Sequence, residues 1–287
     1  MEGLRIYNSG NPGPIVIIVA SLHGEEPAGM AAYSHLKQFF ETGGELLKGE
    51  LRLMKGNIEA RTKGIRYIKY DLNRMFKDLY PYDMDCDSYE FRRTQEIKNA
   101  TLGADSILDL HSMTSEGDPF SILPESKENH PKHLINLPVH FTSSGWSGAL
   151  PGTYMDWALA RDIEYVAVEC GLNGSKEADQ VARDCAMAFL NQLGMTNFDL
   201  DFESPKRHLK LLEHVSIGDH DTYDYPNRKY ESFDAIEANE LIASDKDKEY
   251  RAPDLENLVI VMPASQESVR AKLNNDAFFL AQFVNAF

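Results

Sequence analysis

Six consecutive apolar residues, Ile15 to Ala20 in "IVIIVASLHGEEPAG", narrow the folds open to this chain more than any other stretch. The run is far shorter than the about 20 apolar residues needed to cross a bilayer, yet its length and β-branching suit a strand buried on both faces. It reads as a central parallel strand. Pro27 fits the first turn of a helix, where a missing N–H costs nothing, and "AGMAAYSHLKQFF" continues with helix formers. His23, Glu25 and Glu26 therefore fall where strand gives way to helix, at the edge of an open α/β sheet where ligands bind. Read locally, His23 and Glu26 are either surface residues or ligands.

The same alternation runs through the first two-thirds of the chain, which predicts an α/β fold. "ELRLMKGN" reads as a strand, and "YEFRRTQEIKNATL" as a helix carrying Phe91, Ile97 and Leu102. "DSILDLHS" is a strand ending in a histidine, and "EYVAVECG" repeats the pattern, ending in Glu169. "KEADQVARDCAMAFLNQLG" has Val181, Cys185, Ala188, Phe189 and Gln192 at helical spacing and stops on Gly194. Beyond Asn197 the character changes to a polar, proline-containing stretch and then short β-like runs, "LKLLEHVSI", "FDAIEANELIAS" and "LVIVMPA". The expected organisation is a catalytic domain over residues 1–200 and a smaller β-rich C-terminal domain over 201–287.

Charge and cysteine usage restrict the partners. With 45 acidic against 29 basic residues, the formal net charge of −16 argues against binding a phosphate backbone, so nucleic acid is excluded as a partner. Cys86, Cys170 and Cys185 are odd in number and far apart, which indicates neither a disulfide framework nor a CxxC clamp. No 18-residue apolar window and no signal-peptide pattern occur, so no membrane association and a cytoplasmic location are expected; a homo-oligomer is compatible with the sequence. One segment opposes the overall charge. Between Arg61 and Lys77, six basic residues (Arg61, Lys63, Arg66, Lys69, Arg74, Lys77) accompany a single acid, Asp71. Two readings stay open on charge alone: a solvated basic loop, or an anion site using arginine forks that match carboxylates.

Three strand ends now carry polar groups: His23 with Glu26, then His111, then Glu169. A His-x-x-Glu pair at a strand-to-helix turn can aim at one point, and a histidine on a neighbouring strand completes a His2Glu set. That set leaves a position open for water, as in catalytic zinc sites, where the pKa of water falls to about 7. Glu169 would serve as general base. The plain alternative for Glu26 is a helix-start glutamate favoured by the dipole, and for His111 a satisfied strand-end histidine. Asp109 shares a strand face with His111 and is placed to orient its imidazole. A carboxylate at Glu169, ending a buried strand, is costly unless it has a partner or a task.

The segments "HGEEPAG", "RYIKYDLNRMF", "EFRRTQEI", "LDLHS" and "VECG", in that order between Ser21 and Gly171, resemble the aspartoacylase and succinylglutamate desuccinylase family of the zinc carboxypeptidase superfamily. The later run "FDAIEANELIASDKDKEYRAPDLENLVIVMP" resembles the family's β-rich tail. The resemblance implies a zinc-carboxypeptidase-like mixed sheet flanked by helices. It implies one Zn²⁺ per chain on His23, Glu26 and His111, with Glu169 moving a proton from metal-activated water to the leaving amine. Arg66 would polarise the scissile carbonyl, and Asn73 and Arg74 would grip a substrate carboxylate, which favours the anion-site reading of the basic segment. The implied activity is hydrolysis of the amide bond of a small anionic N-acyl amino acid or related amide. Aspartoacylases have Asn after the second histidine ligand, where this chain has Ser112; Arg161 is displaced from their arginine spacing, and their late tyrosine has no counterpart. The acyl group and amino acid therefore stay open. The alternatives are a zinc carboxypeptidase acting on peptides and a non-catalytic metal-binding protein; the presence of both Glu169 and Arg66 argues against the latter.

Overall fold

The computed structural model describes residues 1–284 except 125–129, 206, 247 and 273–274. Strands β1 (Leu4–Asn8) and β2 (Ile15–Ala20) precede helix α1 (Ala28–Glu41), and β3 (Glu50–Lys55), α2 (Ile58–Lys63), α3 (Tyr89–Thr101) and β4 (Ser106–Met113) follow. The short elements β5 (Phe120–Ile122), α4 (Lys132–Ile135), β6 (Phe141–Ser144) and α5 (Tyr154–Leu159) lead to β7 (Glu164–Leu172) and α6 (Lys176–Gln192). Next come β8 (Arg207–Ser216), β9 (Ala235–Ile236), β10 (Leu241–Asp245), β11 (Lys248–Arg251), β12 (Leu258–Val261), α7 (Gln266–Arg270) and β13 (Asp276–Val284).

Among the described residues, eleven strands form one mixed sheet in the order β1-β3-β2-β4-β7-β5-β6-β8-β13-β12-β9, and β10 and β11 form a separate hairpin. The strands β3, β2, β4 and β7 run parallel. Strand β2 has both faces covered, which is why it is apolar throughout rather than alternating. Val16, Ile18 and Ala20 pack in a cluster with Leu36 of α1 and Phe189 of α6, and Ile17 and Val19 in another with Ile97 of α3 and Trp157 of α5. The last long helix follows its sequence signals: Ser175 caps α6 by accepting from the Ala178 N–H, and Gly194 leaves it with φ +65°.

The sheet continues past residue 200 without a break, because β8 runs parallel to β6 and antiparallel to β13. One apolar cluster joins Phe120, Phe141 and Trp146 to Leu209, Val261 and Phe279; a further cluster, including Tyr223, Ile242 and Phe278, is built wholly from later residues. Strands β4 and β7 also run on past His111 and Glu169, to Met113 and Leu172, through a pairing irregularity between His111 and Met113. Among the described residues, no helix is long and apolar enough to cross a membrane.

Candidate active site

Parallel register sets the candidate residues side by side. Ala20, the last residue of β2, pairs with Leu110, and His111 pairs with Glu169 on β7. The loop leaving β2 must then fold back over these strands. Ser21 takes φ +57° and its hydroxyl donates to the Glu26 carbonyl at 2.8 Å, closing the turn. Gly24 is forced: a Cβ there would lie 2.3 Å from backbone atoms of Ala60 and Ile65. That close approach lets the Gly24 N–H donate to the Arg66 carbonyl at 3.0 Å, which ties the loop to the basic segment.

At the centre, Nδ1 of His23 lies 2.7 Å from Oε1 of Glu26, and Nδ1 of His111 lies 2.8 Å from Oε2 of the same carboxylate. All three residues are buried, and one ligand atom from each lies within 4.8 Å of the others, a spacing that can hold a metal ion. Both far nitrogens are held. Nε2 of His111 sits 3.0 Å from Asp109, which also accepts from the Tyr165 hydroxyl; Nε2 of His23 sits 3.2 Å from Asp71. A proton on Nε2 of His111 leaves the Nδ1 lone pair facing Glu26, the tautomer that metal-ligating histidines adopt against a carboxylate. Burial pushes the Glu26 carboxyl up, but the two histidines outweigh it and hold it well below the usual range.

Glu169 has a different setting. Burial pushes its carboxyl up to about 7, with Glu26 adding to the rise and His111 opposing it, and its Oε2 is buried without a hydrogen-bond partner. A buried oxygen left unsatisfied costs about 1–3 kcal/mol, which a bound group or a proton in transit would relieve.

All seven residues singled out from the sequence line one cavity of about 570 Å³. Arg66 enters it with Nε 3.1 Å from Asp71, Nη1 3.4 Å from Glu25 and Nη2 3.0 Å from Nε2 of His23. The backbone carrying Arg66 is buttressed by α3, where the buried Glu90 accepts from the Ile68 and Lys69 N–H groups at 2.7 and 3.3 Å. Asn73 accepts from the Tyr154 N–H at 2.9 Å, fastening its turn to α5, and Arg74 reaches Asp276 at 3.3 Å. Of the six basic residues between 61 and 77, Arg66 and Arg74 line the cavity; Arg61 donates to the Gly24 carbonyl and Lys69 pairs with Asp85 on the surface. Arg161 lies away from the cavity, paired with Asp78 and stacked on Trp157. Sequence reasoning missed Asp71, whose position as the one acid in the basic segment was its signal, and also Asp276 and Phe279, for which no local signal exists.

Residues 12–141 match the family model of the succinylglutamate desuccinylase/aspartoacylase catalytic domain. This part of the chain is similar to that catalytic domain. It is 32% identical over 136 residues to the aspartoacylase of Xenopus tropicalis, covering 44% of this chain and 42% of that protein. A probable aspartoacylase of Prochlorococcus marinus strain MIT 9515 is 33% identical over 145 residues, 46% of each chain. The match thus spans less than half the length of these curated relatives. Among solved structures, the succinylglutamate desuccinylase of Vibrio cholerae superposes with a TM-score of 0.75 at 17% identity, covering 99% of this chain and 89% of that one. The product-bound ectoine utilization protein EutE of Ruegeria pomeroyi gives 0.71 at 15% identity, covering 98% and 88%. These likenesses establish the family's mixed α/β fold along nearly the whole chain.

Proposed function

We propose that this protein is a zinc-dependent hydrolase of the amide bond in an N-acyl amino acid or related small amide. The reading rests on one observation above the others: the His23–Glu26–His111 group, the unpartnered Glu169 oxygen and the Arg66 guanidinium border the same cavity. The donor set suits zinc, with two imidazole nitrogens, one carboxylate and a position left open. When bound, the metal supplies Lewis acidity that brings the pKa of water near 7 and polarises a carbonyl.

The remaining work falls to the chain. Glu169 takes a proton from the attacking water on its free Oε2 and returns it to the leaving amine, a task suited to a carboxyl whose pKa is raised toward neutrality. Arg66, fixed by Asp71 and Glu25, stabilises the charge that develops on the carbonyl oxygen. Asn73 and Arg74 orient a substrate carboxylate at the cavity wall. Asp109 and Tyr165 hold the His111 ring in place from behind.

The test has two parts. Elemental analysis of protein prepared without chelator should find about one zinc per chain. A panel of N-acetyl, N-succinyl and N-formyl amino acids should release amine in a chelator-sensitive manner. Zinc content near zero, zinc retained after His23→Ala combined with His111→Ala, or no amine release from any member would overturn the assignment.

A further inference from the structure

Resting on that hydrolase reading, we infer that the cavity selects N-acyl amino acids with a single carboxylate and a large apolar group, in preference to substrates with two or three carboxylates such as N-acylaspartate or N-succinylglutamate. Two independent features of the cavity carry this.

The first is its charge pairing. Two arginines line the cavity, and each already has an acidic partner: Arg66 has Asp71 and Glu25, and Arg74 has Asp276, while the largely exposed Lys272 lies 3.5 Å from Asp221. Asp276 is itself fixed by His214 at 2.8 Å, so its carboxylate stays beside Arg74 rather than swinging away. Glu26 and Glu169 border the same space, and neither offers a cation to a substrate. One substrate carboxylate can share the Arg74 fork with Asp276. A second, in the buried part of the cavity, would meet an Arg66 that is already engaged, and an unpaired buried carboxylate is strongly unfavourable.

The second feature is an apolar wall. Ile122 of β5, Trp146 and Leu150 after β6, Met155 of α5, Met262 after β12 and Phe279 of β13 form an apolar surface. Two polar groups among the cavity-lining residues are engaged with the protein itself. Trp146 donates its indole N–H to Ser143 at 2.9 Å, and its ring packs 4.9 Å from that of Phe279, whose other neighbour is the stacked His214. The Tyr165 hydroxyl is committed to Asp109. At about 570 Å³ the cavity falls in the range that encloses drug-sized ligands, roughly 300–1,000 Å³. A small dicarboxylate would leave this wall wet, whereas a phenyl or branched aliphatic group would dry it, for a gain of roughly 10- to 100-fold in affinity.

The experiment compares four substrates with the zinc-loaded protein: N-acetyl-L-phenylalanine, N-benzoylglycine, N-acetyl-L-aspartate and N-succinyl-L-glutamate. The first two place the ring on the amino acid or on the acyl group, so the better of them reports which end meets the wall. That better substrate should exceed both N-acetyl-L-aspartate and N-succinyl-L-glutamate in kcat/KM by at least tenfold; a smaller ratio overturns the inference. Calorimetric titration of the Glu169→Gln variant with the same four compounds gives an affinity order independent of turnover, and the same tenfold criterion applies. Trp146→Ala, or Leu150→Asn should the former fail to fold, is expected to cut the aromatic preference at least fivefold, and an unchanged preference overturns the role of the wall. The two readings separate cleanly. Turnover that favours the substrates with several carboxylates sinks the inference and leaves the hydrolase standing, whereas absence of all turnover with aromatic ligands still bound first sinks the hydrolase alone.

Discussion

Glu169 and Arg74 border the same cavity but should fail differently when removed. Glu169→Gln keeps the size of the side chain and removes its basicity, so zinc content and ligand affinity should persist while kcat falls by about 10² to 10⁴. Steady-state kinetics alongside metal analysis checks this, and a variant that loses its metal would point to a structural role instead. Arg74→Ala should mainly raise KM for a carboxylate substrate, by about 2–5 kcal/mol of lost binding, and do much less to the amidated analogue. Equal losses on acid and amide would mean that Arg74 serves chiefly to hold Asp276 and β13. The legibility of these residues follows from how local their signals are. His23, Glu26, His111 and Glu169 stand out because polar residues interrupt or end apolar strands, a conflict visible within a few positions. Asp276 and Phe279 sit in a strand of ordinary apolar character, and only the pairing of β13 with β8 brings them to the cavity.

Helix α3 and the seam between β6 and β8 matter at the scale of elements. The fully buried carboxylate of Glu90, at the start of α3, accepts from the Ile68 and Lys69 N–H groups and the Asn57 side-chain amide. Glu90→Ala orphans these donors and should destabilise the fold by at least about 1–3 kcal/mol, measured by denaturant unfolding, while loosening the backbone that carries Arg66. At the other seam, His208 lies between the hydroxyls of Thr142 and Ser144, at 2.7 and 2.8 Å. Burial, together with nearby His130, pushes its pKa down to about 4 from the usual 6.5. Between those two values the unfolded chain binds a proton at this site and the folded chain does not, so folding stability falls as pH drops from about 6.5 toward 4. His208→Gln should remove this component, and parallel slopes for variant and parent across that window would refute it. The long elements were readable from periodicity, including α6 with its terminal Gly194; its Ser175 cap emerged only from the structure. Strands β5 and β6 were not, since three or four residues carry too few periods to register, and their placement depends on β7 and β8.

Across the whole molecule, the partition proposed from the sequence, residues 1–200 and 201–287, divides an apolar cluster that contains Phe120 and Phe141 on one side and Leu209 and Phe279 on the other. A chain ending at residue 200 should therefore expose that surface and lose a cooperative melting transition; a well-folded, monomeric fragment would instead establish the first part as independent. The pairing of Arg74 with Asp276 spans 202 residues of sequence. Contacts of such long range form late, because loop closure must come before they can contribute. During synthesis at roughly 5–20 residues per second, about 10–40 s separates the appearance of one partner from that of the other. For most of that interval, once residue 111 has been made, the nascent chain holds His23, Glu26 and His111 while Met262 and Phe279 of the apolar wall are still to come, so the substrate chamber is completed only when β13 emerges from the ribosome.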